Sequence, residues 1–585
     1  MSEMIKVIVN GKAAEVPMGS TVLDACYAAG VDVPRLCFLK HINETSACRL
    51  CVVEIEGIKT LKNSCCVTAT DGMIIKTNTQ RVKKAVETNL KLLAANHKFE
   101  CWKCPREHNC EFLNLLREYN IDNTIASDPM HTHKKQIINV SDALVIDSSK
   151  CVLCGRCISA CEKLAGTGVL NFNFRGSKTY VGPALNYSLD LAGCIYCGKC
   201  IQACPTGALK EKDDIAVAKS FIENPNYYTV VQMAPAVRAA LGEEFGLPIG
   251  TNVEGKMYQA LHLLGFDDIA DVNFAADVTI MEEGTEFISR LNGNGPLPLF
   301  TSCSPGWIRY IETYYPKYLA NLSSCKSPQQ IEGALIKNYW ATKIGVDKDK
   351  IKVVSIMPCI AKKSEAKRDE MEVNGIRDVD CVLTTRELAR WIKISDIDFV
   401  NLEDYHPESA IAKYTGAGVI FGVTGGVMEA ALRTVYHILE GSDLKSLDIK
   451  EVRGLEGIKE ATINIKGQNI NVAIVHGGVN IKKMMELIEK GEKQYHFVEF
   501  MGCSGGCING GGQPVVCAKI LDNVDVRKKR AAALYTIDKN APLRQSHENP
   551  YVKALYDEFL EKPNSHLAHE LLHTTYKKKN IYPLN

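Results

Sequence analysis

Three features are absent from this 585-residue sequence, and each absence excludes a class of protein. No apolar run reaches the length of a transmembrane helix, so we expect no membrane contact. The 69 basic side chains are balanced by 68 acidic ones, which leaves no excess charge for nucleic-acid binding. The opening residues MSEMIKVIVNGKAAEV lack the charged and apolar segments of a secretory signal, which predicts a cytoplasmic protein.

Cysteine, in contrast, is abundant, with 24 residues. In a reducing compartment, cysteines at metal-ligand spacing favour ligation over disulfides. Two runs have the spacing C-x2-C-x2-C-x3-C, and their members are Cys151, Cys154, Cys157, Cys161, Cys194, Cys197, Cys200 and Cys204. This spacing is typical of two [4Fe-4S] clusters that each take three thiolates from one run and the fourth from the other. The sequence therefore predicts a ferredoxin-like module with two cubane clusters over residues 146–212.

The N-terminal residues predict a small β-rich domain. Alternating runs at 5–9 and 13–16 meet at Asn10-Gly11, which suits a type I′ hairpin turn. Ser20 or Thr21 can cap the helix that follows, and Cys26 on its apolar face is expected to pack rather than ligate.

Four further cysteines have the spacing C-x10-C-x2-C-x13-C, namely Cys37, Cys48, Cys51 and Cys65. The spacing resembles the plant-type [2Fe-2S] domain at the start of hydrogenases and of the large iron-sulfur subunit of respiratory complex I. Cys66 is an adjacent alternative for the fourth position. We prefer Cys65 because of its spacing to Cys51 and to the Asp71-Gly72-Met73 segment.

A basic amphipathic helix is predicted at about 80–96, and a mixed ligand set follows it. His97, Cys101, Cys104 and Cys110 have the spacing H-x3-C-x2-C-x5-C. One imidazole and three thiolates suit either a further [4Fe-4S] cluster or a tetrahedral zinc ion. The offset of His97 from the cysteines makes it the preferred imidazole, and His108 inside the loop is the weaker candidate.

The second half of the chain has a different pattern of apolar residues. Residues 130–145 are expected to form a connector, and short apolar strands are then predicted at 230–233, 351–356, 419–421 and 472–475. Helical stretches separate these strands, which indicates α/β organisation. The segment GVTGGVMEAALR (422–433) lacks a phosphate-loop pattern, so it predicts a strand-to-helix turn near the active site and no nucleotide.

Three separated signatures in this half are TSCSPGW (301–307), MPCIAKK (357–363) and EFMGCSGGCINGGGQP (499–514). With the N-terminal ligand order, they resemble the active-site motifs of the [FeFe]-hydrogenases, in the long clostridial layout with four accessory clusters. The resemblance implies reversible H2 formation at an H-cluster. That cofactor is a [4Fe-4S] cubane bridged by one cysteine to a diiron unit with CO, cyanide and a bridging dithiolate amine.

The resemblance also implies roles for individual residues. Cys359, Cys503 and Cys507 correspond to cubane ligands, and Cys507 to the thiolate that bridges to the diiron unit. Lys362 corresponds to the lysine that holds a cyanide ligand, whereas Lys363 is expected to be a solvated surface lysine. The residues that match the apolar wall around the diiron unit are Pro235, Met357, Phe421 and Met501.

Proton supply is implied by a second group of residues. Glu283, Glu286 and Arg290 fall on one helical face in TIMEEGTEFISR. They match the family's Glu, Glu and Arg relay, in which Ser323 supplies an intermediate hydroxyl. Carboxyl and hydroxyl groups pass protons by alternating donor and acceptor roles.

The first signature departs from the family, which usually has TSCCPGW. The first cysteine delivers the proton and the second ligates the cubane, but here the second position is Ser304. Ser304 could ligate as an alkoxide, Cys303 could shift to take over ligation, or three thiolates could hold the cubane alone. We favour Cys303 at the proton-transfer position with Ser304 facing the cluster, and we expect reduced activity or an altered potential.

HELLH at 569–573 fits the H-E-x-x-H zinc motif. The residues that follow supply no Glu, Asp or His as a third ligand, so we do not predict a zinc protease.

These expectations describe an α/β multidomain protein. A plant-type ferredoxin (β-grasp) domain (1–80) precedes a His/Cys3 [4Fe-4S] domain (81–129) and a two-[4Fe-4S] ferredoxin-like domain (130–212). An α/β catalytic H-cluster domain (213–521) follows, and a C-terminal helical segment (522–585) wraps around it.

The function implied is that of a cytoplasmic ferredoxin hydrogenase. Its substrates are protons and H2, its electron partner is ferredoxin or flavodoxin, and hydrogenase maturation proteins supply the diiron unit. The implied cofactors are one [2Fe-2S] cluster, three accessory [4Fe-4S] clusters and the H-cluster. A low-turnover H2 or redox sensor, an iron-sulfur assembly protein and an iron-sulfur electron-transfer protein are the alternatives, because Ser304 replaces an expected cysteine.

Overall fold

A computed structural model of the chain describes residues 3–121 and 138–582. They form an α/β multidomain protein, as predicted. Within these two ranges, no helix is both long enough and apolar enough to cross a membrane.

The N-terminal domain is a five-stranded sheet with one helix against it. Its elements are β1 (Met4–Val9), β2 (Lys12–Pro17), α1 (Val22–Ala28), β3 (Val52–Ile55), β4 (Lys62–Asn63) and β5 (Ile74–Lys76), with strand order β2-β1-β5-β3-β4. The predicted hairpin is confirmed, because Asn10 and Gly11 have φ angles of 50° and 84°. Thr21 caps α1 in a capping box with Asp24, and Cys26 is fully buried in the core, where packing was predicted.

The cysteine-rich middle of the chain contains short elements around tight loops. They are α2 (Gln80–Ala94), α3 (Glu111–Glu118), β6 (Ile138–Val140), β7 (Leu144–Asp147), α4 (Arg156–Lys163), β8 (Asn171–Asn173), β9 (Tyr180–Gly182), α5 (Lys199–Ala203) and β10 (Leu209–Glu211). The predicted connector at 130–145 lies partly outside the described residues. For residues 138–145 the connector prediction is wrong, because they contribute β6 and the start of β7. Strand β7 pairs with both β6 and β10, which makes a three-stranded sheet.

Two four-stranded sheets form the centre of the C-terminal part of the chain. Their strands are β11 (Tyr228–Met233), β12 (Asp268–Asp271), β13 (Leu299–Phe300), β14 (Ile351–Met357), β17 (Cys381–Thr384), β18 (Ile458–Ile465), β19 (Gln468–His476) and β20 (Phe497–Met501). The first sheet has the order β12-β11-β14-β17 and is parallel throughout, and the second has the order β13-β20-β19-β18 with one antiparallel pair. A small hairpin adds β15 (Glu372–Val373) and β16 (Ile376–Arg377).

Helices cover both sheets. They are α6 (Ile215–Ile222), α7 (Glu254–Leu263), α8 (Val272–Leu291), α9 (Pro305–Tyr314), α10 (Pro328–Leu335), α11 (Ala341–Ile344), α12 (Ala361–Glu365), α13 (Thr385–Ile394), α14 (Gly416–Ile420), α15 (Gly426–Glu440) and α16 (Gly478–Lys490). Helix α17 (Ala518–Leu521) precedes the predicted C-terminal segment, which contains α18 (Val526–Asn540), α19 (Pro550–Leu555) and α20 (His566–Leu572). Helix α8 is buried on most of its surface, so its polar residues lie inside the protein.

The strand predicted at 419–421 is wrong, because residues 416–420 form the short helix α14. A fully buried apolar run has the same pattern in a strand and in a buried helix, so periodicity alone could not separate them. Thr415 begins the helix by accepting a hydrogen bond from the Ala417 N–H. A β-carbon on Gly418 would come within 2.4 Å of the Asn273 carbonyl oxygen, so only glycine allows α14 to pack this closely on α8. Residues 421–425 therefore join two helices rather than a strand and a helix.

Candidate functional site

Four loops at the carboxyl ends of parallel strands meet between the two sheets. Cys303 follows β13, Cys359 follows β14, Cys503 follows β20, and Pro235 follows β11. The carboxyl ends of parallel strands are the usual position of binding sites in α/β proteins. The three signature motifs, far apart in sequence, therefore belong to one site.

Cys359, Cys503 and Cys507 form a group of half-buried thiols in this site. Burial, together with the neighbouring Cys503, raises the pKa of the Cys507 thiol to about 12. Burial and the same neighbour also hold the pKa of Cys359 above its usual value, while Lys362 opposes the shift. Thiolates crowded in this way need a cation to be stable, and iron supplies it by direct ligation. The donor set thus fits an iron-sulfur cluster.

Glycine permits the close packing of the loop that bears two of these thiols. Gly506 has a φ angle of 91°, and a β-carbon there would lie 2.6 Å from the Thr424 nitrogen. Both the conformation and the contact require glycine. The loop is thereby seated against the turn between α14 and α15.

Lys362 lies at the start of α12 with its ammonium in the site. Its Nζ donates to Glu365 Oε2 at 2.9 Å and to the Cys303 carbonyl oxygen at 3.2 Å. Glu365 also accepts from Ser327 Oγ at 2.9 Å and from Gln329 Nε2 at 3.1 Å. Sequence analysis missed Glu365, although its spacing of three residues from Lys362 on a helix was an available signal.

The prediction that Lys363 is a solvated surface lysine is wrong. Its side chain is buried, and its Nζ donates to Asp214 at 2.8 Å, to Glu387 at 3.0 Å and to the Val382 carbonyl at 2.6 Å. These acceptors are distant in sequence, so the local motif could not indicate them. Lys363 instead links the segment that follows β10 to β17 and α13.

Cys303 and Ser304 differ in their surroundings. Burial raises the pKa of the Cys303 thiol well above its usual value, and the charge of Glu283 adds to the shift. Ser304 is the N-cap residue of α9, and its Oγ accepts a hydrogen bond from the Gly502 N–H at 3.1 Å. The thiol is thus electrostatically coupled to a carboxyl group, while the hydroxyl contacts the base of the Cys503 loop.

The predicted relay residues lie together on the buried face of α8. Burial raises the pKa of Glu283 to about 8, the Glu286 charge adds to this, and hydrogen bonds from Ser323 and Ser302 oppose it. Ser323 Oγ donates to Glu286 Oε2 at 2.9 Å. Glu283 is therefore a carboxyl group that holds a proton at neutral pH.

Arg290 holds Glu286, the last carboxyl group of this set, through a hydrogen bond. Its guanidinium donates to Glu286 Oε1 at 2.6 Å and to the Leu322 carbonyl oxygen at 2.8 Å. Arginine stays protonated in proteins, so these contacts position Glu286 and the 320–322 loop rather than exchange protons.

The four predicted wall residues are all buried, but they belong to two apolar clusters. Phe421 and Met501 pack in the same cluster as Cys303. Met357 belongs to the neighbouring cluster around β11 and β14, and Pro235 is buried beside the end of β11.

The structure favours Cys65 over Cys66 in the N-terminal domain. Cys65 is buried, and its Sγ lies 3.2 Å from Cys51 Sγ, whereas Cys66 is exposed. The remaining two members of the predicted set, Cys37 and Cys48, are buried and interact with each other.

Three cavities are lined by the other predicted ligands. The first is lined by His97, Cys101, Cys104 and Cys110, and His108 is absent from its lining. The second is lined by Cys151, Cys154, Cys157 and Cys204, and the third by Cys161, Cys194, Cys197 and Cys200. In the second and third cavities, the last cysteine of each run lies with the first three of the other, which is the crossed arrangement expected for two cubanes.

These sites are in direct contact with one another. Asn43 Nδ2 donates to the carbonyl oxygens of Cys37 at 2.7 Å and Cys154 at 3.1 Å. Arg106, in the His97 loop, donates to the Cys204 carbonyl at 3.1 Å. Two sites therefore adjoin the second cavity.

The third cavity adjoins the catalytic site. Lys199 Nζ donates to the Asn509 carbonyl at 2.6 Å, and a β-carbon on Gly198 would lie 2.7 Å from the Gly511 α-carbon. The loop of Cys197 thus packs directly on the loop that follows Cys507.

Family models match nearly the whole chain. The matches are a 2Fe-2S iron-sulfur cluster binding domain (2–80), the NADH-ubiquinone oxidoreductase-G iron-sulfur binding region (87–124), a 4Fe-4S dicluster domain (150–208), the C-terminal domain of the iron only hydrogenase large subunit (227–511) and the iron hydrogenase small subunit (524–579).

Individual relatives are similar over the same extent. Iron hydrogenase 1 of Clostridium pasteurianum is 45% identical over 98% of this chain and 100% of its own length. The NADP-reducing hydrogenase subunit HndD of Solidesulfovibrio fructosivorans is 43% identical over 98% of this chain and 99% of its own length. A solved structure of the [FeFe]-hydrogenase HydA1 from Chlamydomonas reinhardtii has a TM-score of 0.57 and 39% identity, covering 63% of this chain and all of that one.

Proposed function

This chain belongs to the iron-only hydrogenase family and interconverts H2 with protons and electrons, and we propose that ferredoxin is its electron partner. Its cofactors are [2Fe-2S] and [4Fe-4S] clusters and the H-cluster. The observation that supports the proposal most strongly is the continuous contact from the N-terminal ligand sets to the Cys503 loop. That contact gives electrons from an external carrier a route to the catalytic site.

In the proposed electron route, two branches meet at one cubane. The [2Fe-2S] site of Cys37, Cys48, Cys51 and Cys65 and the His97 site both adjoin the Cys151–Cys204 cavity. From there electrons pass to the cubane of Cys161, Cys194, Cys197 and Cys200, which adjoins the Cys503 loop. An external electron carrier can therefore deliver electrons at either N-terminal site.

At the catalytic site, we propose that Cys359, Cys503 and Cys507 hold the cubane of the H-cluster. The H-cluster supplies the iron at which H2 is formed or split. Lys362 offers its ammonium to an anionic ligand of the diiron unit in a pocket closed by Pro235, Met357, Phe421 and Met501. An ammonium in such a dry pocket stabilises a buried anion strongly.

The proposed proton route is Glu286, Ser323, Glu283 and Cys303, with Arg290 as the residue that positions Glu286. The hydrogen bond from Ser323 to Glu286 and the raised pKa of Glu283 support this order. A carboxyl group with a pKa near the working pH can both take up and release a proton. The thiol of Cys303, coupled to Glu283, is then the last carrier before the cofactor.

For Ser304, we propose the arrangement in which Cys303 keeps its proton-transfer position. The hydroxyl of Ser304 accepts from Gly502 and so lies on the Cys503 side of the site. Oxygen is a harder ligand than sulfur and matches an iron-sulfur cluster poorly. We therefore expect three thiolates to provide the strong bonds to the cubane.

NADP is the second candidate partner, because the relative HndD is an NADP-reducing hydrogenase subunit. The GVTGGVMEAALR segment is not expected to bind NADP, since it lacks the glycine pattern of a dinucleotide site. We also propose that the protein works in the cytoplasm, where free thiols stay reduced, and that maturation proteins install the diiron unit.

The test is anaerobic incubation of the matured, purified protein under H2 with oxidised ferredoxin or with NADP⁺. We expect reduction of ferredoxin and no reduction of NADP⁺ by the chain alone. Reduction of NADP⁺ without added ferredoxin would overturn the partner assignment.

A further inference from the structure

The C-terminal end of the chain is paired with the loop that supplies Ser323. The Thr574 N–H donates to the Ser324 carbonyl at 2.7 Å, and the Lys326 N–H donates to the Leu572 carbonyl at 2.8 Å. Cys325 and His573 form an antiparallel bridge between these bonds. The pairing places the His573 side chain beside the proposed proton route, at the end of the HELLH segment.

Both nitrogens of the His573 ring contact polar side chains. Nδ1 lies 2.8 Å from Ser324 Oγ, and Nε2 lies 3.1 Å from Glu282 Oε2. Ser324 in turn contacts Glu286 Oε2, through its Oγ at 3.3 Å and its N–H at 3.1 Å. A hydrogen-bonded chain therefore runs from Glu282 through the imidazole and the Ser324 hydroxyl to Glu286.

The inner members of this chain are buried, but one neighbour reaches solvent. His573 is 8% exposed, whereas His569, one helical turn earlier in α20, is exposed, and the two ring centroids are 4.2 Å apart. Glu282 is fully buried and accepts from Tyr556 OH at 2.6 Å. The titratable groups beside His573 are Glu282, Cys325 and His569. Tyr556 donates to Glu282, and Arg290 donates to Glu286 at the other end of the chain.

The hydrogen-bond arrangement permits two proton placements. When Ser324 Oγ donates to Nδ1, the Nε2–H donates to Glu282. When Nδ1–H instead donates to Ser324 Oγ, the hydroxyl is free to donate to Glu286, and Nε2 takes up a proton from Glu282 or from solvent beside His569. An imidazole with a partner on each nitrogen can pass a proton in this way, because it accepts at one nitrogen as it donates at the other.

We propose that His573 is a proton-relay residue that supplies Glu286 through Ser324 and takes its protons from the Glu282 and His569 side. In one passage, a proton binds Nε2, the Nδ1 proton moves to Ser324 Oγ, and the Ser324 proton moves to Glu286 Oε2. No electron is transferred and the imidazole gains no net proton. The inference rests on the proposed function, since it adds an entrance to the same proton route.

This entrance for protons adds to direct proton uptake by Glu286 and does not replace it. The Glu286 side chain is itself 13% exposed, so hydronium ions can reach it directly when they are plentiful. At higher pH, direct delivery becomes rarer, so a hydrogen-bonded relay that hands protons to Glu286 through Ser324 matters more. The contribution of His573 should therefore grow as the pH rises.

The experiment compares His573→Gln and His573→Ala with the parent protein after full maturation. H2 evolution from reduced viologen is measured at several pH values, with iron content and infrared bands of CO and cyanide as the loading check. The control is His566→Gln, an exposed histidine on the same helix that is outside the hydrogen-bonded chain. Free imidazole is added to each variant.

We expect both His573 variants to lose about tenfold in H2 evolution rate at pH 8 and less than about twofold at pH 6. These losses are smaller than those usual for a sole acid-base group, because Glu286 still takes up protons directly. Imidazole should restore His573→Ala but not His573→Gln, whose side chain fills the space. A second readout avoids turnover. In protein without the diiron unit, infrared carboxyl bands should titrate at a different pH in His573→Gln than in the parent.

Parent-like rates for His573→Gln at pH 8, or a loss that is equal at both pH values and insensitive to imidazole, would overturn the inference. A separate variant, Glu286→Gln, tests the proposed function itself. If Glu286→Gln is inactive while His573→Gln is fully active, only the added entrance fails. If Glu286→Gln keeps the full rate, the proposed proton route fails.

Discussion

Ser304 Oγ accepts a hydrogen bond from the Gly502 N–H across 3.1 Å, at the position where the family motif has a cubane cysteine. The bond joins the N-terminus of α9 to the loop of Cys503 and Cys507. The serine therefore has a partner in the fold as it stands, although it has no thiol for iron. Structural stability and cluster chemistry are thus separable at this position.

The first prediction concerns this position. Ser304→Cys should raise the H2 evolution rate by about tenfold, equivalent to about 1.4 kcal/mol in activation free energy, because a fourth thiolate holds the cubane more firmly. The control is Ser304→Ala, which removes the hydroxyl without adding a thiol and should leave the rate within about twofold. An unchanged rate in a fully loaded Ser304→Cys protein counts against the missing thiolate as the cause of low activity.

The second prediction concerns Glu283. Its pKa in the folded protein is about 8 against 4.5 for an ordinary glutamate, so the folded state binds the extra proton between these values. This contribution to stability is fully present below about pH 4.5 and is lost as the pH rises to about 8, at a cost on the order of 4 kcal/mol. The side chain in Glu283→Gln cannot ionise, so this variant should not lose that stability as the pH rises.

Urea midpoints at pH 5 and pH 8 provide the measurement for Glu283→Gln. The urea midpoint of the variant should rise relative to that of the parent as the pH rises. The midpoint of the exposed-site control Glu561→Gln should change with pH as the parent's does. The same Glu283→Gln protein should lose H2 evolution by at least about 100-fold, because an amide does not carry the proton. A parallel pH dependence of parent and variant would show that Glu283 is charged at neutral pH.

The third prediction uses the Lys362–Glu365 pair. Lys362→Met leaves the Glu365 carboxylate, 4% exposed, without its ammonium and should destabilise the protein by about 3 kcal/mol. Adding Glu365→Gln removes the buried charge and should restore most of that stability, as a urea double-mutant cycle would measure. H2 evolution should stay low in both variants, and its recovery in the double variant would exclude a direct role for the ammonium.

The fourth prediction concerns Asn43, which connects the Cys37 and Cys154 loops. Asn43→Ala removes both donated hydrogen bonds and should lower the unfolding free energy by about 2 kcal/mol. The rate with ferredoxin as donor should fall more than the rate with viologen, because a small dye can reduce other clusters directly. The control is Asn464→Ala, on an exposed hairpin. Equal losses with both donors would show that electrons do not enter through the [2Fe-2S] site.

Ligand spacing was the most informative property of the sequence. The crossed cavities around Cys161 and Cys204 follow directly from the repeat of the four-cysteine run, because a tight loop positions its own first three thiols. The Asn10-Gly11 turn was equally accessible, since its two positive φ angles are a local property. Local geometry determines both features, so neither depended on knowing the rest of the fold.

Features set by tertiary contact could not be predicted in the same way. Lys363 is buried because Asp214, 149 residues away, meets its ammonium, and nothing near Lys363 in sequence indicates that partner. The strand prediction at 419–421 is wrong because burial on all sides of the 416–420 helix removes the periodic signal. His573 was considered only as a zinc ligand, because its contact with Ser324 depends on the pairing of residues 249 positions apart.

The most direct test of the central claim is H2 evolution from reduced viologen after maturation with a synthetic diiron cofactor, recorded with infrared spectra of the same sample. We expect CO and cyanide bands together with measurable H2 formation, despite Ser304. Bands without turnover would favour a sensor over a hydrogenase. Absence of the bands in protein with a full complement of iron and sulfide would contradict the claim that Cys359, Cys503 and Cys507 hold the H-cluster.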